Sequence, residues 1–362
     1  MALDDLRLGT RFRLIWRRLR PWRRGLEILL ARRFGLATRE DRVFFSLIPL
    51  VGLIAGTLGI VVHRLIDGFR QLLWGPQSLI AAATSLPPWQ VIGAPVVGGL
   101  LVSALVLIGR QPLTGQGMSA LIEAVALRGG RMRARPVLLR ALAAIATVGS
   151  GGSLGREGPM IRLGAMIASR LGSGLKLPPY RVKILVGCGA AAGLAAAYNI
   201  PIGGALFAME VILGNVALEL FGPIVVASVI STLLARAAEG HQPIYAVKDF
   251  ALVSGWEMFS YAGLGVVGGL ASLVFVLGLR GSGKLFDRLP LVPAWGRPPL
   301  GMALVGLFAL ARPEVLGSGF DTITVALQGK LPLLLLLVLP FAKLLATALT
   351  AAPIRKMRRC PN

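Results

Sequence analysis

The sequence predicts an all-α, polytopic membrane protein of tilted and broken helices. Of its 362 residues, 55% are hydrophobic and only 15% charged, against about 25% charged in a typical soluble domain. The mean hydropathy is +0.73, and apolar runs near the length of a bilayer crossing recur throughout. Forty-six glycines and 23 prolines interrupt those runs, which argues for short or broken segments rather than simple long spans. This composition argues against an ordinary cytosolic enzyme.

The charge balance agrees. There are 39 Lys and Arg against 16 Asp and Glu, a net charge of +23. In a soluble chain this would suggest nucleic acid. Here the basic residues gather at helix ends and in an N-terminal arm, so the partner they imply is the lipid bilayer and not nucleic acid. Residues 1–42 interleave Arg11, Arg13, Arg17, Arg18, Arg20, Arg23 and Arg24 with Leu, Ile and Trp. They read as a basic amphipathic segment on the cytoplasmic leaflet of the cell membrane, which puts the N-terminus in the cytoplasm. The two cysteines, Cys188 and Cys360, give no disulfide framework. His63 and His241 are too far apart in sequence to suggest a metal site.

The first spanning helix is predicted over about 43–62 and the next over 91–109. Short or small-residue-rich segments follow at 118–127, 137–148, 160–171 and 182–197. The chain breaks at Tyr198-Asn199-Ile200-Pro201 and continues over 202–213 and 218–235. Beyond a polar loop carrying His241, helices are predicted near 256–279, 300–310, 322–327 and 331–350. Several are too short to cross the hydrocarbon, because ten to twelve residues reach only about 15–18 Å. Broken helices at membrane depth survive where they line a cavity, which is a transporter or channel pattern.

An internal repeat is also visible. Gly115–Leu121 matches Gly317–Ile323, and Arg140–Thr147 resembles Lys343–Thr350, at offsets of 202 and 203. The reading is a transmembrane domain over 43–350, with a first repeat over about 43–236 and a partial second one over 256–350. The second copy of the glycine loop that follows Thr147 is expected after Thr350. A basic tail, 351–362, stands there instead, which reads as truncation or a frameshift near Thr350.

The chemistry is predicted in Gly149–Pro159. Glycines turn the backbone sharply and expose its N–H groups, and Pro159 suits a first helical turn. A helix start offers free donors and about half a positive charge, which attracts an anion. Arg156 adds to that potential. Glu157 places a carboxylate where the anion would sit, so it can act as a displaceable gate. A local Arg156–Glu157 ion pair is the alternative. Glu210 is either a structural carboxylate or a group with a functional role. Neither acid has a His, Cys or carboxylate partner at catalytic spacing, so no enzymatic activity is expected.

These residues resemble the voltage-gated chloride channel (CLC) family of anion channels and proton-coupled exchangers. Residues 155–159 read as its GREGP motif. The stretch from Gly187 through Tyr198-Asn199-Ile200-Pro201 to Phe207 and Glu210 reads as its Ala/Gly–Asn–x–Pro block, and Gly115-Gln116-Gly117 stands where the family has a Gly-Ser-Gly turn. The resemblance covers about residues 40–350 and implies a fold of inverted repeats, the second incomplete here.

It further implies chloride as the transported ion, no cofactor, and a homodimer if the chain is intact. Glu157 falls on the gating glutamate, and Gln116, Gly155, Arg156, Gly158 and Pro159 on the anion-binding positions. Glu210 is the remaining candidate for a proton pathway. Exchangers usually carry their inner proton-transfer glutamate one position later, where this chain has Val211, which leans the reading towards passive conduction. The family's second anion loop and inner tyrosine would fall past Thr350, where this chain has neither. Proton-coupled antiport, or a non-conducting fragment, therefore stays open.

Overall fold

The computed structural model describes residues 39–109, 117–240, 245, 254–288 and 292–355. Residues 1–38 of the expected N-terminal arm, Gln116, His241 and residues 356–362 of the tail lie outside the described residues, while 39–42, expected in the arm, open the first helix.

The chain opens with α1 (Arg39–Trp74), a 36-residue helix longer than the predicted 43–62. At about 54 Å it is longer than a bilayer's hydrocarbon is thick. Its far end defines the face here called distal. A short α2 (Leu79–Ser85), absent from the expectation, starts where the Ser78 hydroxyl accepts the Ala81 N–H at 3.3 Å. Next come α3 (Pro88–Gly109), α4 (Met118–Leu127), α5 (Ala134–Gly149), α6 (Glu157–Gly174) and α7 (Pro179–Tyr198). Asn199, left-handed at φ 60°, ends α7, and Pro201 begins α8 (Pro201–Phe207). A π-helical turn, Ala208–Leu213, replaces the expected regular helix end.

The rest comprises α9 (Leu218–Glu239), α10 (Glu257–Asp287), α11 (Arg297–Ala311), α12 (Phe320–Leu327) and α13 (Leu333–Arg355). Two elements outrun their expected ends. α10 passes through Arg280 to Asp287. α13 passes Thr350 into the tail, so residues 351–355 are helical rather than part of an irregular end. Six helical stretches among the described residues are long and apolar enough to cross a membrane. The protein is a multi-pass membrane protein.

Packing follows the small residues. α7 is the most enclosed of the six spans. It runs antiparallel to α6, with Gly164 against the Gly189 carbonyl and Gly193 against that of Met160, where an added Cβ would collide with backbone. Without a hydrophobic drive between helices in lipid, such close approach supplies the attraction. α1 and α9 lie parallel, with Gly52 beside Ala227 and His63 beside Glu239. α3 runs antiparallel to α11, and the Ser103 hydroxyl donates to the Trp295 carbonyl at 2.6 Å. α10 stands largely exposed, with Gly278 touching Leu344 of α13.

The directions bear out the inverted arrangement. α5 is antiparallel to α3, since Leu139 meets Gly109 and Ser150 meets Gly98. α13 is antiparallel to α11, since Gly301 meets Leu349 and Pro353 while Lys343, earlier in α13, reaches Val315 and Gly317 just past the end of α11. As α3 and α11 oppose each other, α5 and α13 do too, which an inverted repeat requires of its corresponding helices.

Candidate functional site

Three contacts hold the glycine loop between α5 and α6. Gly317 donates its N–H to the Gly151 carbonyl at 2.9 Å. The Ser153 N–H donates to Oγ1 of Thr350 at 3.2 Å, and the Ser153 and Thr347 hydroxyls pair at 2.9 Å. The sequence halves thus meet on this loop, and Gly151 turns the chain at φ 94°.

The loop delivers α6 with Arg156 as its N-cap and Glu157 as its first residue. No side chain caps this end, so the first-turn N–H groups of Glu157, Gly158 and Met160 stay available, while Pro159 has none to satisfy. The Glu157 carboxylate folds back against Gly155, where a Cβ would overlap its Oε2. The Tyr198 phenol at the end of α7 lies close enough to interact with it. The carboxylate therefore sits at an uncapped helix start, against Gly155 and near Tyr198.

Arg156 does not pair with Glu157. Its Nη1 lies 3.2 Å from Nε2 of His63, its guanidinium carbon stands 4.4 Å from the centre of the Phe320 ring, and its Nε is buried without a partner. Phe320 also meets the Tyr198 ring at 6.0 Å and stacks on Tyr245 at 5.8 Å. Burial and the neighbouring Glu157 carboxylate push the Tyr245 phenol above its ordinary range. Arg162, one turn into α6, donates from Nε to the Gly158 carbonyl at 3.1 Å.

Lys343 of α13 holds the start of α12. Its ammonium donates to the carbonyls of Val315, Leu316 and Gly317 at 2.8, 3.1 and 2.7 Å. Phe320 is thereby presented to Arg156. Arg156 and Phe320 also line a distal cavity of about 900 Å³, together with His63, Asp67, Arg236 and Glu239.

Of the predicted site residues, Gly155, Arg156, Glu157, Gly158 and Pro159 come together at the start of α6. Gln116 lies outside the described residues. Glu210 is exposed in the π-helical turn and stands apart. That turn reaches α7 where Leu213 meets Gly187, eleven residues or about 16 Å along the helix from Tyr198. Sequence reasoning missed Tyr198, Phe320, Lys343 and the contacts of His63. The matched Gly317–Ile323 segment carried a hint of Phe320, and Lys343 opens the second matched segment. Among the described residues, no three His, Cys, Asp or Glu side chains group as metal ligands.

Comparison with known proteins gives a consistent result. The profile of the family described as "Voltage gated chloride channel" matches residues 98–353. A ClcB-like chloride channel protein of Ralstonia nicotianae is 36% identical over 76% of this chain and 66% of its own length. The voltage-gated ClC-type chloride channel ClcB of Escherichia coli is 33% identical over 79% of this chain and 70% of its own. The chain thus spans about two thirds of these relatives. Among solved structures, a slow cyanobacterial Cl−/H+ antiporter superposes with a TM-score of 0.73 at 22% identity, over 87% of this chain and 74% of that one. A CLC-type fluoride/proton antiporter gives 0.69 at 21% identity, over 88% and 77%.

Proposed function

Since the chain belongs to the voltage-gated chloride channel family, we propose that it carries chloride across the cell membrane, with Glu157 as the gate. What supports the reading is the carboxylate at the uncapped start of α6, against Gly155 and near Tyr198. A helix start favours a negative group through its free N–H donors and its dipole. Glu157 fills that place in the closed state, and a chloride ion competes for it. Gly155, Arg156 and Gly158 supply backbone and charge around the ion, Pro159 presets the first turn, and Gln116 adds an amide donor.

Conduction is read as passive, because Val211 carries no proton. Glu210 is the carboxylate left for a proton route, which would make the protein an antiporter. The N-terminus is assigned to the cytoplasm by its basic arm, and two chains are assigned to one dimer. The test is chloride efflux from liposomes holding the purified chain. Efflux above empty vesicles, altered by Glu157→Gln, supports the reading, while none in either protein refutes it. Proton movement driven by a chloride gradient would overturn the passive assignment.

A further inference from the structure

His63 stands where three charged elements meet. Its Nδ1 is 3.0 Å from Oε1 of Glu239 on α9. Its Nε2 is 3.1 Å from Oδ2 of Asp67, one turn along α1, and 3.2 Å from Nη1 of Arg156, the N-cap of α6. Those two neighbours make opposite demands. A guanidinium only donates hydrogen bonds, and an ionised carboxylate only accepts them. Nε2 therefore satisfies one at a time. With its lone pair free it accepts from Arg156. With a proton it donates to Asp67 and presents like charge to Arg156. The Nδ1–H bond to Glu239 persists in both states and keeps the ring in place.

We propose that His63 is a positioning residue for Arg156, and that the proton on its Nε2 decides whether Arg156 is held or released. The inference rests on the proposed role of the α6 start in anion transport. Among the described residues, His63 is the hydrogen-bond partner of the Arg156 guanidinium, whose other contact is the face of Phe320. Releasing it frees the residue that precedes Glu157 and adds a second positive charge at the mouth. Both changes favour an anion over the closed carboxylate.

Asp67 and Glu239 are the carboxylates that face His63 and Arg156 is the cation beside it, while Arg64, Arg70, Arg236 and Asp321 line the same cavity. Arg70 lies 3.7 Å from Asp67, Arg64 donates to the Ala238 carbonyl at 3.5 Å, and Arg236 donates to Oδ1 of Asn199 at 2.5 Å. Tyr245 stands beyond Phe320. The ring borders the distal cavity, which gives protons a way in from that face.

Two experiments test this on the full chain. In liposomes, chloride flux is followed as the pH on the distal side is varied. The flux is expected to change by roughly tenfold across one titration, as one charge-assisted hydrogen bond allows. His63→Gln keeps an amide that accepts from Arg156 and donates to Glu239 but does not titrate, so it removes that inflection. Asp67→Asn, which takes away the carboxylate charge that favours the protonated state, moves the inflection to lower pH. An inflection unchanged in His63→Gln overturns the inference.

The second measurement is independent of turnover. The chain has two histidines, so ¹⁵N ring spectra of His241→Gln report His63 alone. Nε2 is expected to gain a proton as the pH falls, while Nδ1 stays protonated throughout. A ring that titrates at Nδ1, or not at all, overturns the proposal even where flux is intact. Absence of flux in every variant counts against the transport reading instead and leaves the spectra to decide.

Discussion

The Glu157 carboxylate occupies the space beside the Gly155 Cα, so that a side chain at 155 and a closed carboxylate exclude each other. Gly155→Ala is therefore expected to push Glu157 away from the start of α6 and raise resting chloride flux. Losing one hydrogen bond to a charged group is worth about 1.5 kcal/mol, which corresponds to roughly tenfold. Flux measured in liposomes should rise towards that of Glu157→Ala. Flux equal to the parent's would show that the carboxylate is not held there.

Tyr198 lies close enough to the same carboxylate to interact with it. Tyr198→Phe keeps the ring against Phe320 and deletes the hydroxyl. The closed state should weaken by about 1 kcal/mol, seen as a several-fold rise in flux. Combining this change with Glu157→Gln should add almost nothing, because the hydroxyl acts through the carboxylate it touches. Full additivity would place Tyr198 outside the gate.

Lys343 satisfies three carbonyls at once, those of Val315, Leu316 and Gly317. Lys343→Met leaves them without that donor, at about 1–3 kcal/mol for each buried group. A fall in the thermal unfolding midpoint is expected, with Lys343→Arg recovering part of it. Arg156 should also lose its Phe320 neighbour, so the variant's anion affinity should change even where it folds. An unchanged midpoint would mean that the start of α12 holds itself.

Glycines divide into two classes with opposite predictions. Gly189 has the Gly164 backbone where a side chain would go, and Gly268 in α10 has nothing within 4 Å. Gly189→Leu should abolish monodisperse protein in detergent, because α6 and α7 cannot part without repacking the centre. Gly268→Ala should be tolerated or stabilise by up to about 1 kcal/mol. Size-exclusion profiles and unfolding midpoints decide both.

The apolar runs, the glycine turn before α6 and the five residues 155–159 were legible in the sequence because each is a local property. Hydropathy is carried by the residues of one segment, and Gly and Pro act on their own backbone and that of their neighbours. The long reach of α1 was less visible, since His63, Arg64, Asp67 and Arg70 break the apolar run while the helix continues. The π-helical turn and the helical residues 351–355 were likewise invisible.

What only the tertiary structure decided is the company kept at the start of α6. Arg156 turns from its sequence neighbour Glu157 to His63, 93 residues earlier, and to Phe320 in the second half. Ser153 is fastened by Thr347 and Thr350 across nearly two hundred residues. No spacing rule reaches that far. These partners are selected by how closely the small-residue faces of α6 and α7 approach and by the opposed course of α5 and α13, which depend on the whole bundle at once.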